Sequence, residues 1–332
     1  MLPENVPAVS KDRGNSMAET DETKRNDTVS DDFLEETDEA SVRPEKASKK
    51  GKNRIYDVLL VVFALIFFYC AFQLISYYVK GARYKKEMSR LSEEIGGGIS
   101  QNEEDLAESL RMNRDRLVFP DEEEHELVAY VSSFTEEITD TWREQYSVLV
   151  GKNRDCIGYI EIPDTTMSYP VMFCPSQYDY YLNRNLDKKN DVRGLPFMDG
   201  ATKIGLSRNY ILYGHDMRDG TSFGLLRKYK DKAYAEEHPY VYFNTAISTG
   251  VYQVMYVCRS KIYAKDDKVF KYYQYGGVLS EEQFNTYVKE MRSRALYTCG
   301  FDAVWGDELL SLSTCDHYVE DGRLIIVCKR VK

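Results

Sequence analysis

The chain has 332 residues, with 44 basic against 54 acidic side chains and a formal net charge of -10. That acidic balance, with no basic stripe interleaved with aromatics, argues against a nucleic-acid partner. The length exceeds what one small domain needs without demanding two large cores, and the 27 tyrosines, mostly after Tyr130, fit a β-rich domain.

Residues 1–54 are rich in Glu, Asp, Ser, Thr and Lys and carry almost no apolar periodicity. Such a segment buries too little surface to offset its ordering entropy, so it is expected to be a disordered tail. Residues 55–79 follow, with the apolar run Val58 to Phe72 continuing through Leu74 and Ile75 to Val79. A run of about 20 apolar residues crosses a bilayer as a helix. Tyr56, Tyr77 and Tyr78 lie where interface aromatics belong, and no Ala-x-Ala site follows that would mark a cleaved signal peptide. Basic residues flank both ends, with Arg43, Lys46, Lys49, Lys50, Lys52 and Arg54 before and Lys80, Arg83, Lys85 and Lys86 after. The excess before the span places the tail in the cytoplasm and the main domain outside.

Residues 80–120 are expected to form a helical stalk, broken at Gly96-Gly97-Gly98 and closed by Pro120. The main domain is assigned to residues 121–332. It begins with a helical stretch over 121–149, with Leu127, Val128, Val131, Phe134 and Ile138 at helical spacing, that packs on the rest. The pattern then turns to β. Strands are expected at Ile157–Ile162, Tyr169–Phe173, Gly194–Asp199, Asn209–Tyr213, Tyr240–Phe243 and Gly250–Ile262, with Pro170 marking an edge or a strand start. A short helix is expected over Phe223–Tyr234, and Ser280 caps another that runs to about Arg294. Seven or eight strands with helices outside imply a mainly β fold, a closed or nearly closed barrel.

The last pair of strands is the most informative. Glu308 to Cys315 is followed by a Glu-Asp-Gly turn and then by Arg323 and the apolar run Leu324 to Val327. A hairpin joined this way sets Cys315 beside Arg323, and a thiol next to a fixed cation is the outline of a nucleophile site. A base can be sought among only four histidines. His125 lies in an acidic helical stretch, and His238 precedes Pro239. His317 is two residues from Cys315 but falls where the turn begins, and same-face neighbours on a strand point in parallel. His215, in Tyr213-Gly-His-Asp-Met-Arg-Asp-Gly220 at a strand-to-loop junction, is favoured because a rigid scaffold would project it.

The stretches Leu312-Ser-Thr-Cys315 with Arg323-Leu-Ile-Ile-Val, Tyr213 to Gly220, and Gly194-Leu-Pro-Phe-Met-Asp199 together resemble the class B sortases of Gram-positive bacteria. The resemblance covers about Asp121 to Lys332. It departs at Ser311, where the family commonly has threonine, and it does not account for the long acidic tail. It implies a sortase-type β-barrel, closed by seven or eight strands and preceded by N-terminal helices and one transmembrane helix. The implied enzyme is a membrane-anchored cysteine transpeptidase. Cys315 would cleave a C-terminal sorting motif after threonine and form a thioester, which the amine of a peptidoglycan precursor resolves. His215 would handle protons and Arg323 the oxyanion. Expected partners are secreted proteins with such a motif, the precursor amine and the lipid bilayer. Ser313 and Asp316 flank the nucleophile. The resemblance implies contact with the sorting peptide, whereas the plain alternative is hydrogen bonding within the hairpin.

The remaining cysteines are Cys70, Cys156, Cys174, Cys258, Cys299 and Cys328. Their odd total with Cys315, and the need for a free thiol there, argue against a full disulfide framework. Cys258 and Cys328 lie in apolar runs and are expected to be buried. No spacing resembles a zinc site, and no cofactor is expected. Three other functions compete. A papain-like protease places its cysteine before its histidine, the reverse of the order here. An L,D-transpeptidase uses a motif like His-Gly-Cys, where Ser313 and Thr314 stand. A non-catalytic extracytoplasmic binding or sensor domain leaves the co-occurrence of His215, Cys315 and Arg323 unexplained.

Overall fold

The computed structural model describes residues 50–97, 99 and 139–332. These fall into two units, residues 50–76 and residues 77–332. The first is the apolar part of helix α1 (Lys50–Glu94). From Arg54 this helix is long and apolar enough to cross a membrane, with a mean hydropathy of 2.7 in its most apolar window. Its side chains there, such as Leu60, Phe63 and Phe68, are exposed. Residues 1–49 of the tail, the second half of the expected stalk apart from Ile99, and the helical stretch up to residue 138, including His125, lie outside the described residues, while residues 50–54 of the tail begin α1.

The second unit is a β-barrel. Its strands are β1 (Cys156–Glu161), β2 (Ser168–Met172), β3 (Phe197–Met198), β4 (Asn209–Tyr213), β5 (Tyr240–Thr245), β6 (Val251–Lys261), β7 (Ala295–Thr298), β8 (Leu309–Cys315) and β9 (Gly322–Arg330). The sheet order is β5-β1-β2-β3-β4-β8-β9-β6-β7, and β5 also pairs with β6. Eight strands therefore close the ring, and β7 hangs on β6 outside it. Two of the neighbouring pairs, β2–β3 and β4–β8, are parallel. The barrel closes by pairing its own edges, which removes the liability of open strands. Leu310, Leu312, Leu324, Ile326 and Cys328 belong to one buried cluster with β1, β2 and β4. The alternate side chains of β9, Ile325 and Val327, belong to a second cluster with Phe284, Tyr287 and Met291 of α4 (Glu281–Ser293). The period of two in β9 thus feeds one core inside the ring and one beneath α4.

Two further helices decorate the ring. Thr139 caps α2 (Asp140–Lys152), whose Trp142 indole donates to the Thr245 carbonyl at 2.7 Å. Asp231 caps α3 (Lys232–Glu237), which follows a 3-10 stretch over Phe223–Lys230. Ser280 and Gln283 form a capping box at the start of α4, at the position the sequence indicates.

Three expectations change. The first half of the stalk is not free of the domain. Tyr84, Met88, Leu91 and Ile95, spaced four, three and four apart, are all 2–4 % exposed and join the main core. This apolar stripe is narrow and hidden among charges, which is why the segment reads as a solvated helix. The Gly194–Asp199 strand shrinks to Phe197–Met198, pairing with β2 at Met172 alone. Pro170, central in β2, therefore lacks a neighbour on the β3 side, the edge-like setting proline requires. Tyr84 covers this gap, with its ring 6.0 Å from that of Tyr169. In the β8–β9 turn the positive φ, 56°, falls on Asp321 and not on Gly322. Gly322 is needed for close approach instead, since a Cβ there would sit 2.1 Å from the Asp316 carbonyl oxygen.

Candidate active site

Strand β8 lies between β4 and β9, and this order assembles the site. The antiparallel register sets Cys315 opposite Arg323. The parallel register on the other side ends with Tyr213 opposite Ser313. It is carried forward by the Gly214 amide donating to the Ser313 carbonyl at 3.2 Å and by the Thr314 hydroxyl donating to the Gly214 carbonyl at 2.8 Å. His215 follows two residues beyond Tyr213, in the loop that leaves β4 on this side of β8, while Arg323 stands opposite Cys315 on the other side.

Ser311, Ser313 and Cys315 form one column on β8. Tyr287 and Tyr272 cover the first two, each hydroxyl 2.7 Å from the serine oxygen. Ser311 also donates to Asn209 at 2.9 Å, so the hydroxyl at this position is fully used inside the protein. Cys315 is the next in the column and is only half-buried. Arg323 is 8 % exposed; one of its terminal nitrogens donates to the carbonyls of Asp321 and Gly322 at 3.1 and 2.9 Å. Those bonds fix the fork at the strand start.

Burial pushes the Cys315 thiol above its ordinary value; Arg323 pulls it down, while Asp216 and Asp321 push it up. Burial holds His215 below the usual histidine value, opposed by its bond to the Leu182 carbonyl. Both shifts favour the uncharged forms, the thiol and the neutral imidazole. The His215 Nε2 lies 2.8 Å from the Leu182 oxygen. A carbonyl only accepts, so Nε2 carries the proton and Nδ1 is the nitrogen left to exchange one.

The other sequence candidates are placed differently. His317 is exposed in the turn, and His238 stacks on Tyr234 at 4.5 Å, remote in sequence from the hairpin. Ser313 and Asp316 are both buried. Ser313 is 1 % exposed beneath Tyr272. The Asp316 carboxylate, 5 % exposed, accepts from Lys230 at 2.5 Å and Arg259 at 2.9 Å. Their side-chain partners are a tyrosine and two cations from outside the hairpin, which flanking sequence does not reveal. Asp216 and Tyr272 were missed as site residues. Asp216 follows the favoured histidine and pairs with Arg227 at 3.2 Å. Tyr272 is fully buried and feels both Cys315 and Arg323. Among the described residues no cluster of histidines, cysteines and carboxylates could hold a metal, and every cysteine described is free.

The sortase domain family model matches residues 160–331. Sortase B of Listeria monocytogenes is 31% identical over 193 residues, 57% of this chain and 75% of that protein. Sortase B of Staphylococcus aureus is 28% identical over 193 residues, 57% of this chain and 76% of that protein. The crystal structure of sortase B from B. anthracis superposes with a TM-score of 0.51 at 26% identity, covering 68% of this chain and 99% of that one. The papain-like, L,D-transpeptidase and binding-domain alternatives fall with these matches. The chain belongs to the sortase family, and it is a class B sortase, a cysteine transpeptidase.

Proposed function

We propose that this chain is a membrane-anchored sortase that joins secreted proteins to an amine of a peptidoglycan precursor, with Cys315, His215 and Arg323 as its catalytic residues. What supports this reading is the strand order β4-β8-β9, which sets Arg323 opposite Cys315 and ends β4 two residues before His215 on the other side of β8. Because both shifts favour the thiol and the neutral imidazole, the reactive pair is a minor population, formed when the thiol proton passes to His215 Nδ1. The Cys315 sulfur then attacks the carbonyl carbon of a threonine within a C-terminal sorting motif. The carbonyl π electrons move to oxygen, and the Arg323 guanidinium stabilises that oxyanion. Collapse breaks the carbon–nitrogen bond; the leaving amine takes the proton from His215, and a thioester remains on Cys315. A second amine attacks the thioester carbon, gives a proton to His215, and expels the Cys315 sulfur. The apolar helix over residues 54–76 supplies the anchor, with the tail in the cytoplasm and the barrel outside. A structure of a Staphylococcus aureus sortase B–substrate complex shares the fold. Substrates of this chain are accordingly sought among secreted proteins with a C-terminal sorting motif.

The test is cleavage of quenched fluorescent peptides from such C-terminal regions by the purified chain. Cys315→Ala and His215→Ala should lose turnover while keeping the circular dichroism spectrum. Wild-type turnover by a folded Cys315→Ala would end the proposal.

A further inference from the structure

The loop that carries His215 is held from behind by a buried ion pair that the reaction itself does not use. Arg193, 1 % exposed, donates from one terminal nitrogen to Asp219 at 3.0 Å and to the Tyr77 carbonyl of α1 at 2.9 Å. The other Asp219 oxygen accepts from the Thr221 amide at 3.2 Å and the Thr221 hydroxyl at 2.6 Å. Burial opposes ionisation of Asp219, yet the Thr221 and Arg193 hydrogen bonds hold its carboxyl below the ordinary value. Lys85 of α1 donates to the Asp219 carbonyl at 2.8 Å. Gly81 of α1 leaves the space in which this carboxylate sits, since a Cβ there would lie 2.2 Å from Asp219 Oδ2.

Both ends of His215 connect to this pair. Its backbone belongs to the Asp219 loop, and its carbonyl accepts from the Met217 and Phe223 amides at 3.1 and 3.0 Å. Its imidazole is held by the Leu182 carbonyl. Gly194, next to Arg193, presses on that same carbonyl: a Cβ on Gly194 would lie 2.2 Å from the Leu182 oxygen, and its φ is +56°. Tyr84 of α1 donates to the Gly194 carbonyl at 3.1 Å. Arg193 is thus one residue from the glycine packed on the carbonyl that holds the ring, and Asp219 lies in the loop that carries the backbone.

The geometry points to Arg193 and Asp219 as positioning residues for His215, clamped in register by the Tyr77–Lys85 segment of α1. This rests on the catalytic role proposed for His215. A misplacement of about 1 Å in a proton-transfer group costs up to about a hundredfold in rate. The hydrogen bonds of the pair run to Tyr77, Thr221 and Lys85, so the effect is expected on turnover and not on substrate affinity.

The test uses the full chain in detergent, with kcat normalised to the Cys315 alkylated by iodoacetamide as counted by peptide mapping, since the other cysteines are also free. Asp219→Asn keeps the shape and removes the charge. Gly81→Ala favours the helix, because alanine is the better helix former, and pushes a methyl against the carboxylate. Each should lower kcat about ten- to a hundredfold with KM within about twofold. The double variant should lose no more than the worse single one, because both act through one carboxylate. Arg83→Ala, exposed on the same helix, should match wild type. If a variant fails to fold, Lys85→Met, at an exposed position, decides the matter through the same reduction of kcat. Folded variants with wild-type kcat, or with raised KM and intact kcat, overturn the inference. His215→Ala is run alongside. If it retains turnover, the catalytic role of His215 fails; if it is inactive while the clamp variants are normal, only the clamp fails.

Discussion

Tyr84 is the sharpest probe of whether the helix following the apolar span belongs to the catalytic unit. It is 2 % exposed, its ring packs against Tyr169, and its hydroxyl donates to Gly194. Truncating a buried aromatic to alanine costs about 3–5 kcal/mol. Leaving a buried carbonyl unpaired adds about 1 kcal/mol. Tyr84→Ala should therefore lose about 4–6 kcal/mol, and Tyr84→Phe only about 1 kcal/mol. Against a total of about 5–15 kcal/mol for a domain, the alanine variant is barely stable. The assay is urea unfolding of the full chain in detergent, followed by the fluorescence of Trp142 and Trp305. With an m-value of about 2–3 kcal/mol/M the alanine variant should unfold about 2 M earlier. Arg90→Ala, exposed on the same helix, should stay within about 0.5 kcal/mol. An unchanged midpoint for Tyr84→Ala would restore a free stalk and refute the docking of α1.

Further outcomes follow from the site. Asp316→Ala should destabilise by about 1–3 kcal/mol in the same urea assay. The cost of breaking a buried pair is discounted because Lys230 and Arg259 are 32% and 36% exposed and can regain water. Arg323→Lys should fold but lose about 10² in kcat, because a point charge does not reproduce the guanidinium fork; full activity in the peptide assay would remove the fork from the mechanism. His317→Ala should retain substantial turnover, and its loss alongside a normal His215→Ala would reverse the assignment of the acid/base. Burial raises the Cys315 pKa, so its thiolate fraction is small at neutral pH. Its alkylation rate should keep climbing beyond the ordinary cysteine value of about 8.5. A plateau near neutrality, read by intact mass, would mean a pre-formed thiolate. Protease added to protoplasts should digest the domain and spare the tail.

Much of the architecture was legible because it is local. The end points of β4 and the Ser280 cap follow from an apolar run and a capping pattern over a few residues. The juxtaposition of Cys315 and Arg323 follows from one hairpin. What escaped depends on partners far along the chain. β7 is four residues long and half exposed, so its alternation carries little signal. The buried stripe of α1 is diluted by lysines and glutamates, and only Tyr169 and Gly194 explain its burial. For Ser313 and Asp316 the resemblance implied peptide contact beside a hairpin alternative, and neither points to Tyr272, Lys230 and Arg259, which reach them from other elements. The Arg193–Asp219 pair has no local signature, since it joins two loops and a helix.

The most direct test is capture of the covalent intermediate. The purified full chain is mixed with a pool of peptides carrying threonine at the cleavage point, without an acceptor amine, then quenched in acid and weighed intact. A single acyl adduct mapping to Cys315 is expected, absent from Cys315→Ala, formed much more slowly by Arg323→Lys, and discharged when an amine is added. An adduct that persists in Cys315→Ala, or that maps to another cysteine, would contradict a thioester mechanism at this site.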